Sequence, residues 1–353
     1  AQYTQMEELT GKSASEWFES QLNKPASFIM PIIGDYTRST DIADPSDYYM
    51  AATTFGFWRN AITAEDQLRQ RVAFALSEIL VVSNGVGDEL TEHAEAAATY
   101  QDILIRHALG NYRDLLEDVT RSPAMGYYLT YLGNVKGDDK TGRKPDENYA
   151  RELLQLFTIG VDELNPDGSQ KLDDEGKPIE TYTNKDIQGL ARVFTGFNLN
   201  DEQHEVSVNA AYSVPMQMFD EDHSDKEKRF LDTIIPTHTE AQLSIKLALD
   251  AIFAHPNVAP FIGKQLIQRL VTSNPSGQYV NRVSQAFNDG RYQLPNGSEV
   301  GEGKKGDLTA TVAAILFDTE SRPEMGTSTG KIREPILRFT QWARAFEAEN
   351  IQP

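Results

Sequence analysis

The sequence predicts a mainly α-helical protein: a multi-helix, bundle-like globular fold with a small β-hairpin and extended insertion near residues 161–220. Three observations carry that reading. Apolar residues recur at helical spacing over most of the chain. A turn-rich stretch at 161–183 breaks the pattern, and residues 203–220, QHEVSVNAAYSVPMQMFD, look extended. No repeat of fixed period and no low-complexity segment is visible. The insertion separates an N-terminal helical part (1–160) from a C-terminal helical part (221–353), and itself (161–220) carries one helix. The three are expected to form one continuous domain.

Taken in order, the first helix follows Ser13, a natural N-cap, and aligns Trp17, Phe18 and Leu22. Residues 65–83 place Leu68, Val72, Leu76 and Ile79 at helical spacing. Two helices follow, YQDILIRHALG stopped by Gly110 and NYRDLLEDVTRS stopped by Pro123. The next, DENYARELLQLFTIG, starts at Pro145 or Asp146, and its acids Asp146 and Glu147 suit the positive end of a helix dipole. In it Tyr149, Leu153, Leu156 and Phe157 share a face that Ala150 and Leu154 widen, so burial on most sides is expected. After Gly160, QKLDDEGKPIETYT reads as a hairpin turning at Glu175 and Gly176. Thr183 or Asn184 then caps KDIQGLARVFTGF. Helical patterns resume at 239–254, 257–272, 277–289, 307–318 (capped by Asp307) and 331–347.

Composition excludes several chemistries. The chain of 353 residues has no cysteine, which removes disulfides, zinc–thiolate sites, iron–sulfur clusters and thiol nucleophiles. Its 33 basic and 53 acidic residues give a formal charge of -20, which repels nucleic acid and anionic lipid. Excess acid is foremost a solubility feature. No apolar run is long enough for a membrane span. A start at Ala1 without a leader is as expected of a mature exported protein trimmed after a small residue, and equally of a cut chain.

Polar candidates remain. Opposite the apolar face of DENYARELLQLFTIG, Glu147 and Arg151, Asn148 and Glu152, and Arg151 and Gln155 are each four residues apart. Such pairs contribute only a few tenths of a kcal/mol on a surface, roughly 0.2–0.5. Buried, they would require partners. ELNPDGSQKLDD sets Glu163, Asn165, Asp167 and Asp174 at spacings of a calcium loop, with Gly168 in its required place. Pro166 and the exchanged acids at the ends speak against it, and a Pro-Asp-Gly turn explains the same residues. FDEDHSDKEKRFL offers Asp220, Asp222, His223 and Asp225 as ligands for a divalent metal, without any H-E-x-x-H spacing. No G-x-S-x-G nucleophile motif occurs.

DENYARELLQLFTIGVDE followed by TYTNKDIQGLARVFTGF resembles the bacterial domain-of-unknown-function 1800 family. The resemblance extends in the family's order through LRQRVAFALSEILVVS, ALDAIFAHPNVAPFIGKQLIQRLV, GDLTATVAAILFDTESR and GKIREPILRFTQWARAF. Asn148, Arg151 and Glu152 match the family's N-x-x-R-E, and Asp186, Arg192, Thr195 and Gly196 match its second motif. HSDKEKRFL looks like a third, carrying His223 and Lys226. Phe157 stands where many members have His, which removes a ligand or acid–base group. The resemblance implies an exported bacterial protein, periplasmic or at the cell surface, with a sulfatase-like exported protein as a candidate partner. It implies no reaction.

Two functional expectations arise. One is an extracytoplasmic binding or assembly component in which the N-x-x-R-E stripe is a buried network. The other is a hydrolase acting on an extracellular polymer or an anionic, sulfated or phosphorylated substrate. There Glu152 would be the base and His223 the acid, with Arg151, Asn148, Lys226 and Arg192 holding substrate. No cofactor is required by either, although calcium or another divalent metal fits the candidates above.

Overall fold

The computed structural model describes residues 10–37, 45–83, 90, 93–200, 211–322 and 331–348. Of the stretch expected to be extended, residues 203–210 lie outside these. Fourteen helices run through the described residues: α1 (Ala14–Leu22), α2 (Met30–Thr37), α3 (Pro45–Thr63), α4 (Gln67–Ser77), α5 (Ala94–His107), α6 (Tyr112–Arg121), α7 (Pro123–Tyr128), α8 (Asn148–Gln155), α9 (Asn184–Ala191), α10 (Ala241–Ala254), α11 (Val258–Leu270), α12 (Gly277–Asp289), α13 (Leu308–Phe317) and α14 (Pro335–Ala345). Between them sit three two-stranded antiparallel pairs: β1 (Phe197–Asn198) with β2 (Gln217–Met218), β3 (Lys228–Phe230) with β4 (Thr233–Ile235), and β5 (Tyr292–Gln293) with β6 (Glu299–Val300). The mainly α fold class is therefore the observed one. Among the described residues no helix is long and apolar enough to cross a membrane.

The caps are where the side-chain chemistry put them. Ser13 and Glu16 form a reciprocal capping box on α1, and Asp307 accepts the Ala310 N–H at 2.9 Å to start α13. Pro123 both closes α6 and opens α7 as a first-turn proline, since its missing N–H costs nothing there. α8 begins at Asn148, later than expected. Asp146 is held in the preceding turn, taking the Asn148 N–H at 2.7 Å and giving its own N–H to Asn134. The helix also ends early, at Gln155, so Leu156 leaves the predicted face and is 46% exposed while Phe157 is buried.

One contiguous apolar cluster runs from Phe18 to Ile315, and Tyr149 lies in its middle. Its ring stacks on Tyr131 at 4.2 Å and meets Phe194 edge-on at 4.8 Å. Its hydroxyl donates to Thr120 Oγ1 at 2.7 Å, because Thr120 already gives its own proton to the Leu116 carbonyl. Full burial raises the phenol pKa, so it stays a donor.

The insertion is more regular than its sequence suggested. Three spokes turn about one ring of backbone bonds: Lys171 N–H to Glu163 O, Glu163 N–H to Ile179 O, and Ile179 N–H to Lys171 O. A second set repeats it, from Asn165 to Ser169, Asp173 to Lys177 and Thr181 to Val161. Corresponding residues are eight apart, and so are Gly160, Gly168 and Gly176, all at positive φ (72, 75 and 80°). The eight-residue repeat ELNPDGSQ–KLDDEGKP is thus present where no fixed period was expected. The predicted 173–177 turn is its second spoke, and the chain ends of the insertion close the third. Asn257, fully buried, anchors this pinwheel: its Nδ2 donates to Ile159 O and Asp162 O at 2.8 Å each, and its Oδ1 accepts from Leu164 N–H.

α9 lies flat on β3. A Cβ at Gly189 would sit 1.6 Å from the Arg229 carbonyl oxygen, a contact only glycine permits. Overpacking against backbone cannot be relieved by a rotamer change. Gly189→Ala is expected to lower stability by about 3 kcal/mol or more. Gln188→Ala, at the exposed neighbouring position, should stay within roughly 0.5 kcal/mol. Urea unfolding midpoints check both.

Candidate functional site

Closing the pinwheel brings Val161 and Asp162 beside Glu180 and Tyr182, directly ahead of α9. Where these meet Arg151 of α8, a cleft of about 740 Å³ opens, its remaining lining supplied by Thr183, Asn184, Lys185 and Ile187. Its size falls within the range of roughly 300–1,000 Å³ usual for ligand pockets. The first turn of α9 faces it, and the cap of that turn is satisfied: Thr183 and Asp186 form a reciprocal capping box, with Asp186 Oδ2 accepting at 2.7 Å.

Arg151 and Lys185 are the cations that line this cleft. Among the described residues Arg151 makes one ion pair, with Glu147 at 3.6 Å, longer than a hydrogen bond. The expected Glu147–Arg151 pair is therefore present but loose, and among the described residues no side-chain hydrogen bond forms between Asn148 and Glu152. Glu152 does not line the cleft, yet its Oε2 is shut from water without a hydrogen-bond partner among the described residues. Tyr182 feels both neighbours. Partial burial raises its phenol pKa, the Arg151 charge opposes that rise and the Glu152 charge adds to it. The lining acid Asp162 is engaged, taking a 2.6 Å hydrogen bond from Gln170.

The second motif does different work. Thr195 Oγ1 accepts the Ser224 N–H at 2.9 Å and donates to the Arg192 carbonyl, while the Thr195 carbonyl takes the His223 Nδ1–H at 2.9 Å. His223 Nε2 lies 3.2 Å from the Ser244 hydroxyl on α10, which also reaches the Thr239 carbonyl at 3.3 Å. The His223 ring is buried and its pKa is lowered, chiefly by loss of solvent. Arg192 donates to the Glu227 carbonyl at 2.6 Å, and Asp186 Oδ1 takes the Leu231 N–H at 2.7 Å. Gly196, at φ +91°, passes within reach of the Phe219 carbonyl, which a Cβ would meet at 2.7 Å. These residues clamp segment 219–231 onto the end of α9. Lys226 points outward to Asp139 at 2.7 Å. So of the residues expected to hold substrate, Arg151 reaches the cleft, Asn148 is not among its lining residues, and Arg192 and Lys226 are tied elsewhere, as is His223, the expected acid.

The metal candidates are dispersed in the same way. Glu163 pairs with Lys171 at 3.1 Å, Asn165 donates to Ser169, and Asp167 accepts from the Ser169 N–H and hydroxyl at 2.9 and 2.6 Å. Asp174 sits in the next spoke. The segment that offers the calcium-loop spacing forms two tight turns, at Asn165–Ser169 and Asp173–Lys177. Asp220 is likewise used, accepting the Ala241 N–H at the start of α10. Among the described residues no three Asp, Glu or His side chains converge on a common point suited to a metal ion.

Sequence reasoning missed Tyr182, Lys185, Asp162 and Glu180. The signal that would have found them is the spacing of Gly160, Gly168 and Gly176, which forces residues 161 and 181 together. It also missed Lys228, which is buried, donates to Ser224 O at 2.7 Å and has its pKa pulled down to about 8 by burial.

A family model described as "Protein of unknown function (DUF1800)" matches residues 1–353, and the chain belongs to that family. No curated protein and no solved structure matches it.

Two outcomes test this geometry. Asn257→Ala removes three buried hydrogen bonds and is expected to cost about 2–4 kcal/mol in chemical unfolding. The folded-state pKa of His223 is depressed below its unfolded value of 6.5, so its contribution is present above pH 6.5 and is lost as pH falls towards the folded value. Below pH 6.5 the unfolded chain takes the proton first. The stability gap between wild type and His223→Gln is therefore expected to narrow from pH 7 to pH 5, measured by urea unfolding at each pH.

Proposed function

We propose that this member of the DUF1800 family is an exported bacterial binding or assembly component, periplasmic or at the cell surface, whose Arg151 cleft receives an anionic group of an extracellular polymer. The observation that carries the reading is Arg151, held by a single 3.6 Å pair beside a cleft of about 740 Å³. A guanidinium offers a planar fork to two oxygens of a sulfate, phosphate or carboxylate. Lys185 and the N-terminal turn of α9 line the same cleft and favour the same charge. Tyr182 gives a partly exposed aromatic surface beside them, suited to the apolar face of a sugar ring. The sulfatase-like exported protein expected from the family is the partner we propose to share this ligand.

Hydrolysis is the second reading: the unpartnered Glu152 oxygen favours it, and it requires the side chain to turn into the cleft that it does not line here. Glu152 would act as base. The acid would be Tyr182, the phenol that lines the cleft, since the His223 nitrogens are both engaged.

A panel of sulfated and phosphorylated oligosaccharides, with neutral counterparts, tests both by calorimetry and product analysis. Arg151→Met is expected to weaken anionic ligands at least about tenfold, a loss of about 1.4 kcal/mol, and to leave neutral ones unchanged. Equal affinity of the variant for anionic ligands would overturn the binding reading. Product release that Glu152→Gln abolishes would put hydrolysis first.

A further inference from the structure

A second cavity, of about 430 Å³, lies between α1, α4, α11 and α13. Its walls are apolar: Trp17 and Phe18 from α1 face Leu316 and Phe317 from α13. Two arginines complete it, Arg71 of α4 and Arg322 just beyond α13. Neither forms an ion pair or a hydrogen bond among the described residues. Each instead lies over an aromatic ring, Arg71 at 5.5 Å from Phe74 and Arg322 at 5.7 Å from Phe317. Arg71 Nη1 is sealed from water with no acceptor among the described residues.

For Arg71 that is a costly arrangement in a chain with 53 acidic residues, whereas Arg322 is exposed. Glu78 and Glu334 are near enough to act on the Arg71 charge, but both are occupied. Glu334 bonds to Glu78 and pairs with Lys331 at 3.1 Å, and Glu78 faces Arg269 at 3.9 Å. An apolar chamber lined by two guanidinium groups that make no ion pair or hydrogen bond among the described residues matches one class of ligand: a monoanion with a hydrophobic body. We infer that this cavity binds a hydrophobic carboxylate of about fatty-acid character, its headgroup taken by Arg71 and Arg322 and its body by Trp17, Phe18, Leu316 and Phe317. Burial of the body supplies affinity, roughly 0.8 kcal/mol per methylene, and the paired forks supply the preference for charge. The inference is independent of the Arg151 cleft, with which this cavity shares no residue.

The full-length chain titrated with octanoate, 1-octanol and acetate tests it. Octanoate is expected to bind saturably and at least about tenfold more tightly than either of the other two. Arg71→Met should remove that preference and leave the octanol affinity in place, with Arg322→Met, at an exposed position, producing a smaller loss of the same kind. Arg151→Met should leave octanoate binding unchanged. Absence of saturable octanoate binding, equal binding of octanoate and octanol, or unchanged octanoate affinity in both arginine variants would each overturn the proposal. Loss in Arg151→Met alone would move the ligand to the other cleft and overturn it as well.

Discussion

Buried tyrosine hydroxyls that terminate helices hold this bundle in register. Short helices leave many carbonyls without partners, and in a core these must be satisfied from elsewhere. Tyr131 reaches the Thr120 carbonyl at the end of α6, at 2.7 Å. Tyr112 reaches Phe157 beyond α8, also at 2.7 Å, Tyr279 reaches Ile315 in α13 at 2.6 Å, and Tyr100 reaches Leu80 beyond α4 at 2.6 Å. Each bond contributes about 1 kcal/mol net, yet removing a donor strands a buried carbonyl at a cost of about 1–3 kcal/mol. The constraint is therefore stronger than the bond. It fixes where one helix must stop relative to the side of another.

α8 carries this constraint to the candidate site. Tyr149 pins its inner face through ring stacking and through Thr120, and Tyr112 pins the carbonyl of Phe157 just after its end. With eight residues and two fixed points the helix has no freedom to rotate. Its outer face is then determined, and Arg151 is directed to the pinwheel. Phe157 is a buried ring 6.5 Å from Tyr149, so that position serves packing.

Much of this was legible in the sequence because it is local. Ser13, Thr183 and Asp307 are caps by virtue of their own side chains and the next three residues, and the structure places them so. The apolar face of α8 was legible up to Gln155, and Leu156 failed because helix termination depends on what lies beyond the helix. The two family motifs looked alike as strings of polar residues. Their difference is tertiary: His223, Arg192 and Thr195 find backbone partners far along the chain, which spacing cannot reveal. The pinwheel was legible in principle from three glycines eight apart, but its third spoke closes between residues 161 and 181 and so has no turn of its own to read.

The remaining charges are then informative by contrast. In a chain with 20 more acids than bases, a cation meets a carboxylate unless the fold prevents it. Arg113, Arg121 and Arg282 all do, at 2.7–3.1 Å. Arg192 donates to the Glu227 carbonyl instead. Arg151, Arg71 and Arg322 take neither course: the first is loosely held beside a polar cleft, and the other two rest on aromatic rings at an apolar cavity. Other arginines also lack a close carboxylate, Arg106 and Arg69 among them at 3.7 and 3.8 Å, so loose pairing alone selects nothing. What sets Arg151, Arg71 and Arg322 apart is position: each lines one of the two cavities described above, where an incoming anion could complete it.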